Sequence, residues 1–324
     1  MTIDSGVLAR AAEAIGGAER LALACHIGPD GDALGSMLGL AIAAENAGKE
    51  VVASFGSPYL MPPSLGFLPR HLLVPPDEFP EIPEVMVVLD AGSPDRLAEL
   101  GSNASDADTV VVIDHHVTNE GFGDVALVDP DSAATGELVY AILKHLGWEI
   151  TPVIAQCLQT ALVTDTGRFS YSNTTPRTLE IASELVAAGA RPAVIGRHVY
   201  EEAPFGYLKA VAVAMGRAEL DESLRAISTY ITEADLGSLG IDWGDTENLI
   251  DVLRLAVEAD TAVLIKGHED GSVKVSLRSR GDTDVGSLAA AMGGGGHRLA
   301  AGFSTEGDVE MVRKKVLSAI EDYR

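Results

Sequence analysis

Three short apolar runs in the first half of the chain each stop at an acidic or imidazole side chain. Residues 21–24 run into Cys25-His26-Ile27-Gly28-Pro29-Asp30-Gly31-Asp32, residues 85–89 into Asp90, and residues 109–113 into Asp114-His115-His116. The last two runs are continuous and rich in β-branched residues, the composition of strands buried on both faces of a parallel sheet. Residues 50–55 read as a further strand. Helical patterns lie between and after these runs, over 33–46 (closed by Gly48), 135–146 and 152–163. For the last of these, Thr151 is placed as N-cap and Pro152 in the first turn. The alternation predicts an α/β architecture with a mostly parallel sheet. In an open sheet of that kind ligands collect beyond the carboxyl ends of the strands. The three strand ends should therefore converge on one edge, with Asp165 arriving from the end of the 152–163 helix.

The rest of the chain has a different order. From 178 to about 219 the pattern is helical in three pieces, interrupted at Pro192 and Pro204, since proline removes a helix donor and clashes with the preceding turn. Beyond it come a strand over 225–231, a helix over 246–258 and a hairpin of 261–267 and 272–280 joined through Glu269-Asp270-Gly271. Helices over 285–292 and 309–323 follow, with a short strand over 301–304 between them. A chain of 324 residues suits two domains. We expect a catalytic domain over 1–200, a helical connector over 201–220 and a smaller α/β domain over 221–324.

Charge narrows the class of partner. The formal net charge of −25 argues against gripping long nucleic acid by counterion release, which needs clustered Lys and Arg, and against docking on anionic membranes. The two cysteines, Cys25 and Cys157, make no disulfide framework and match no zinc spacing. Residues 1–5 lack the charged start and apolar run of a signal peptide, and no run is long enough to span a bilayer. A soluble, cytoplasmic protein is expected.

An isolated Asp at a strand end is usually a turn residue or a helix cap, and Asp32, just before a helix, could be only that. A lone His-His pair is commonly surface or satisfied core. The coincidence of His-x3-Asp-x-Asp, a strand-end Asp, a strand-end Asp-His-His and a later Asp in one α/β half argues otherwise. Brought together, Asp30, Asp32, Asp90 and Asp165 would repel one another and raise their pKa values. Two divalent cations would balance their four charges. Mixed imidazole and carboxylate donors suit Mn²⁺, Fe²⁺, Co²⁺ or Zn²⁺ better than Mg²⁺ or Ca²⁺. A pair of such ions clamps a phosphoryl group and supplies a nucleophile for in-line displacement, so the donor set points to chemistry on a phosphate.

The segments H26-I-G-P-D30-G-D32-A-L-G-S, V-V-L-D90, V-V-V-I-D114-H115-H116 and T164-D165-T-G-R168-F resemble the four motifs of the DHH phosphoesterase superfamily. G293-G-G-G-H297-R-L-A-A-G302-F resembles the signature of its accessory DHHA1 domain. The similarity spans almost the whole chain and is greatest, in size and layout, to the oligoribonuclease (nanoRNase) and pAp-phosphatase group, which includes enzymes acting on cyclic di-AMP and pApA. The resemblance implies a DHH domain with a dinuclear site, two divalent ions, usually Mn²⁺, and a DHHA1 domain that holds the far end of a small nucleotide or very short RNA. It implies His26, Asp30 and Asp90 on one ion and Asp32, Asp90, His115 and Asp165 on the other, with Asp90 bridging. His116 would face the substrate phosphate as donor or general acid, and Asp114 would orient the histidines, a role that ligating imidazoles usually require of a carboxylate. A homodimer through the first domain is also implied.

Four glycines before His297 let backbone approach a ligand and present N–H groups to a phosphate. Residues 271–300 hold Lys274, Arg278, Arg280 and Arg298 against Asp282 and Asp284, a basic patch in an acidic protein. Arg can grip phosphate bidentately. By resemblance, Arg278, Ser279, Gly295, Gly296 and His297 are assigned to substrate, with Arg168 from the first domain; Asn119 and Arg298 stay unassigned. The expected function is metal-dependent hydrolysis of short oligoribonucleotides, pAp, pApA or cyclic di-AMP, releasing mononucleotides. A non-catalytic cyclic-dinucleotide receptor and an inorganic pyrophosphatase are the alternatives. The first has no need of six metal ligands, and the second lacks the Gly-Gly-Gly-His signature.

Overall fold

The computed structural model describes residues 3–119, 121–246 and 248–324. Its first unit, ending at Glu202, contains the strands β1 (Arg20–Cys25), β2 (Glu50–Phe55), β3 (Val85–Leu89), β4 (Thr109–Asp114) and β5 (Val125–Val128). They form one sheet in the order β2-β1-β3-β4-β5, with every pairing parallel. Side chains alternate across such a sheet. Leu21, Leu23, Val87, Leu89, Val111 and Ile113 enter the apolar cluster on one face, while Ala22, Ala24, Met86, Val88, Val110 and Val112 enter that on the other. Both faces are buried, which is why these strands read as continuous apolar runs.

The α-helices among the described residues of this unit are α1 (Ser5–Gly17), α2 (Gly31–Asn46), α3 (Leu100–Asp106), α4 (Thr135–Leu146), α5 (Pro152–Asp165), α6 (Pro176–Ala187) and the short α7 (Pro192–Ile195). Residues of α1, α2, α4 and α5 build the larger cluster, and Phe79, Leu97 and Leu100 cover the opposite face. Strand order reverses between β1 and β3, so a crevice opens beyond their carboxyl ends. Strand β5 has no counterpart in the sequence reading, because four residues at a sheet edge, of which only Leu127 is buried, carry little periodicity.

The second unit, Ala203–Arg324, has a mixed sheet. It comprises β6 (Glu219–Asp221), β7 (Ala226–Thr232), β8 (Thr261–Gly267), β9 (Ser272–Ser279), β10 (Gly295–His297) and β11 (Ala300–Glu306), ordered β10-β11-β9-β8-β7-β6. Only the β7–β8 pairing is parallel among those described. Helices α8 (Phe205–Gly216), α9 (Glu233–Leu239) and α10 (Leu249–Leu253) contribute to the cluster on one face of this sheet. Helices α11 (Val285–Ala291) and α12 (Val309–Ile320) contribute to the cluster on the other. The segment read as a separate connector is therefore core: Ala210 and Ala214 of α8 are fully buried against Ile227, Ile231 and Leu264.

The helix expected over 246–258 is shorter. Leu249, Ile250 and Leu253 are buried, but Leu255 and Val257 are exposed. Tight turns from Ala256 N to Leu253 O and from Ala259 N to Ala256 O bring the chain round into β8. Among the described residues no helix is long and apolar enough to cross a membrane. Both cysteines are buried and free.

Candidate metal centre at the carboxyl edge of the parallel sheet

Each strand-end group is held by a local feature of its own. His26 follows β1 directly, and its Nδ1 lies 2.9 Å from Ile27 O, which directs Nε2 the other way. Asp90 follows β3 with a left-handed φ of 56°, a conformation that Asp tolerates better than most residues. Its amide donates to Ile113 O at 3.0 Å, tying the turn to β4. His115 and His116 follow β4, whose last residue, Asp114, is fully buried.

The two aspartates at the start of α2 have different duties. The helix begins at Gly31, two residues earlier than the sequence pattern places it, so its cap is Asp30, whose Oδ1 accepts from the amides of Asp32 and Ala33, each at 3.0 Å. Asp32 is therefore no cap of its own helix. Its buried carboxylate accepts from Ser36 Oγ at 2.8 Å and, across the unit, from the amides of Thr135 at 2.7 Å and Gly136 at 3.0 Å. These are the first N–H groups of α4, which have no partner within that helix.

Asp165 reaches the group because α5 packs unusually close to α2. A Cβ at Gly35 would stand 2.5 Å from the backbone oxygen of Cys157, and one at Gly31 would stand 2.4 Å from the Thr164 side chain. Glycine at these two helical positions thus sets how near the end of α5 comes to the start of α2. This signal, Gly at i and i+4 on one helix face, is present in the sequence as Gly31 and Gly35.

His26 Nε2 lies 3.5 Å from Asp90 Oδ2 and 4.0 Å from Asp30 Oδ1. His115 Nε2 lies 3.6 Å from Asp32 Oδ2, 3.6 Å from Asp90 Oδ1 and 3.5 Å from Asp165 Oδ2. Direct hydrogen bonds are shorter than this. Two donors on one cation with bonds of about 2.1 Å would stand roughly 3.0–3.4 Å apart in octahedral or tetrahedral geometry, close to what is seen. Among the candidate ligand sets are His26, Asp30 and Asp90 on one side and Asp32, Asp90 and His115 on the other, with Asp90 in both. Imidazole and carboxylate donors at ligand spacing, all buried except the exposed Asp30, fit a pair of divalent cations.

The protonation states tell the same story. Burial disfavours the His26 imidazolium, yet the facing carboxylates of Asp90 and Asp30 outweigh it and lift its pKa to about 9. Burial opposes charge on His115 too, and Asp165, Asp32 and Asp90 together lift it to about 10. Burial, reinforced by the Asp90 charge, drives Asp32 well above the usual carboxylate range. Burial takes Asp165 to about 7; His115 opposes this rise and the Asp30 and Asp90 charges add to it. Asp90 is buried as well, but the imidazoles of His26, His115 and His116 hold it far below its ordinary value. Protons here compensate a surplus of carboxylates, a task that divalent ions would take over.

Around this centre Asp114 Oδ1 accepts from the His115 amide at 2.8 Å and faces His116 Nδ1 at 2.7 Å, while its Oδ2 accepts from Asn119 Nδ2 at 2.7 Å. Asn119, left unassigned from sequence, thus fixes Asp114, as Asp114 fixes both histidines. Ser132 O receives His115 Nδ1 at 3.2 Å, and Thr135 Oγ1 donates to Asp90 Oδ1 at 2.9 Å; sequence reasoning missed both residues. The His116 side chain is about a quarter exposed, against 7% for His115, so His116 is the one substrate could reach. Arg168 is exposed beyond α5 with φ 61° and lies 4.5 Å over the Tyr200 ring.

In the second unit the expected substrate residues are arranged unevenly. Ser279 is a correction: its hydroxyl is buried, donating to Asp260 Oδ2 at 3.1 Å and accepting from the Gly281 amide at 3.0 Å, so it braces the turn after β9. Arg278 is half-buried, Nη1 donating to Leu277 O at 3.1 Å. The glycine run becomes the edge strand β10, with Gly295 opposite Gly302, Gly296 opposite Ala301 and His297 opposite Ala300. A Cβ at Gly296 would stand 2.6 Å from Ala300 O, so the hairpin itself requires that glycine. Gly295 is exposed and a Cβ there would meet nothing, so the fold does not demand glycine at that position. Arg298 is also exposed, its Nη2 donating to Gly281 O at 3.0 Å.

Comparison with known proteins agrees with this division. The DHH family, N-terminal domain, matches residues 20–162, and the DHHA1 domain matches residues 225–323. The bifunctional oligoribonuclease and PAP phosphatase NrnA of Thermus thermophilus is 32% identical over 93% of this chain and 89% of its own length. The cyclic-di-AMP phosphodiesterase GdpP of Geobacillus thermodenitrificans is 31% identical over 67% of this chain, which spans a third (33%) of that protein. Among solved structures, an exopolyphosphatase-related protein from Bacteroides fragilis superposes with a TM-score of 0.90 at 25% identity, covering 99% of this chain and 97% of that one. The chain belongs to the DHH family, with a DHHA1 domain as its second unit.

Proposed function

We propose that this protein is a divalent-metal phosphohydrolase of small nucleotides, cleaving very short oligoribonucleotides, pAp, pApA or cyclic di-AMP to mononucleotides. The observation that carries the reading is Asp90, whose two carboxylate oxygens face different histidines: Oδ2 faces His26 at 3.5 Å and Oδ1 faces His115 at 3.6 Å. A carboxylate so placed would offer one oxygen to each of two cations. We assign His26, Asp30 and Asp90 to one ion, and Asp32, Asp90, His115 and Asp165 to the other, with manganese as the ion. When bound, the pair supplies Lewis acidity, activating water and neutralising charge on the phosphoryl oxygens.

The chain's own residues do the remainder. His116, whose Nδ1 is held by Asp114, acts through Nε2, donating to a phosphoryl oxygen or to the leaving oxygen. Burial disfavours its charge, but the Asp114 bond and the Asp90 charge raise its pKa, which suits a donor at neutral pH. Arg168, Arg278, Gly295, Gly296 and His297 are assigned to the nucleotide. Gly295 is compatible with that assignment, since it is exposed and nothing in the fold occupies the space beside it. Ser279 is reassigned to positioning.

Relatives named as oligoribonuclease, PAP phosphatase and cyclic-di-AMP phosphodiesterase support the substrate class. The test is a competition assay with equal pAp, pApA, longer RNA and cyclic di-AMP in the presence of Mn²⁺. Mononucleotide release from the short substrates supports the reading. Tight binding of cyclic di-AMP without turnover in Mn²⁺, Co²⁺ or Mg²⁺ would make the protein a receptor instead.

A further inference from the structure

Thr135 occupies the first position of α4, follows Ala134, which makes no side-chain cap, and is completely buried. A fully buried hydroxyl is costly unless its oxygen finds a hydrogen-bond partner. Here the partner is Asp90: Thr135 Oγ1 donates to Oδ1 at 2.9 Å. The same residue's amide, with that of Gly136, holds the Asp32 carboxylate at 2.7 and 3.0 Å. One helix start therefore grips two carboxylates that arrive from different elements, β3 and α2. Its own position is fixed in turn by α5, since a Cβ at Gly136 would stand 2.7 Å from that of Ala161.

The consequence concerns lone pairs. Oδ1 of Asp90 also faces His115 Nε2 at 3.6 Å and His116 Nδ1 at 3.7 Å, so three neighbours compete for its orientation. A hydroxyl donor on one lone pair stops the carboxylate from rotating toward either imidazole. The other lone pair would then stay directed toward a cation that Asp32 and His115 would also hold. Oδ2 is left to His26.

We propose that Thr135 is a positioning residue of the dinuclear centre, whose hydroxyl sets the bridging orientation of Asp90. This rests on the metal-site reading above. The test compares Thr135→Val, which keeps the shape and removes the hydroxyl, with Thr135→Ser, which keeps the hydroxyl. Manganese binding is followed by calorimetric titration and by the electron paramagnetic resonance of coupled Mn²⁺ pairs. Loss of an outer hydrogen-bond partner typically weakens metal affinity about 10–100-fold, so Thr135→Val should weaken binding by that factor and diminish the coupled-pair signal. Thr135→Ser should restore both to near wild type. If Thr135→Val does not fold by circular dichroism, Thr135→Ala against Thr135→Ser makes the same comparison. Wild-type affinity and coupling in the hydroxyl-free variant would overturn the proposal. A wild-type protein that takes up no pair of ions would instead overturn the metal-site reading on which it stands.

Discussion

His26 and Asp90 leave neighbouring parallel strands at the point where the sheet order reverses, and their facing atoms, Nε2 and Oδ2, stand 3.5 Å apart. The crevice that opens at such a point in an α/β sheet is where ligands bind. In this protein it is lined by donors at the spacing of shared metal ligands.

Metal-free protein should lose stability as pH rises from about 6.5 to about 9. His26 and His115 have folded pKa values of about 9 and about 10, above the ordinary 6.5, and Asp165 has one of about 7, above the ordinary 3.8. Each raised value means that the folded state binds more protons than the unfolded one in the interval between the two. Stability from the histidines is therefore complete below pH 6.5 and lost upward through 9–10, and the Asp165 contribution falls earlier, between about 4 and 7. Chelator-treated protein should melt at progressively lower temperature over this range. A melting temperature that climbs between pH 6.5 and 9 would contradict the protonation pattern.

Cation uptake should release protons. Ligands must shed their protons to bind a metal, so manganese affinity should increase from pH 6 to 9. Titration at pH 7.5 in two buffers of different ionisation enthalpy should give different apparent heats. Identical heats would show that the donors were already deprotonated.

Gly35→Ala should disturb the centre from a distance. Its new methyl would meet the Cys157 carbonyl at 2.5 Å, and forcing the helices apart costs about 1–3 kcal/mol by overpacking. Because the same contact sets where α5 ends, metal affinity should fall together with stability. Reduced melting temperature with unchanged manganese affinity would separate Asp165 from this packing.

Much of this centre was legible in the sequence, since strand-end placement is a period-and-length property: β2 and β3 begin and end where the apolar pattern does, and His26, Asp90 and His115 follow from it. What was not legible depends on contacts across the fold. Thr135 and Ser132 sit far along the chain from the groups that they orient, with no spacing to announce them. That Asp30, and not Asp32, caps α2 was not legible, because the helix begins two residues before the apolar pattern does. Ser279 looked like a phosphate donor beside two arginines, and only its burial against Asp260 shows otherwise. In the second unit, the apolar residues 255 and 257 extended a helical pattern that the turn into β8 cuts short.

Substrate length should matter more than sequence. With a net charge of −25, little of the surface can exchange counterions with a long polyanion. RNA of about 24 nucleotides should bind weakly even at low salt, while a dinucleotide is turned over. Tight, steeply salt-dependent binding of the longer RNA would contradict this.

The most direct test of the central claim is the release of mononucleotide from pApA by chelator-treated protein, before and after addition of Mn²⁺, in wild type and Asp90→Ala. Losing a bridging ligand should forfeit several kcal/mol of transition-state stabilisation, about 1,000-fold or more in rate. Activity should be absent without metal, recover on adding Mn²⁺ in the wild type, and fall by at least that factor in Asp90→Ala. Full activity in the metal-free wild type, or in Asp90→Ala, would contradict it.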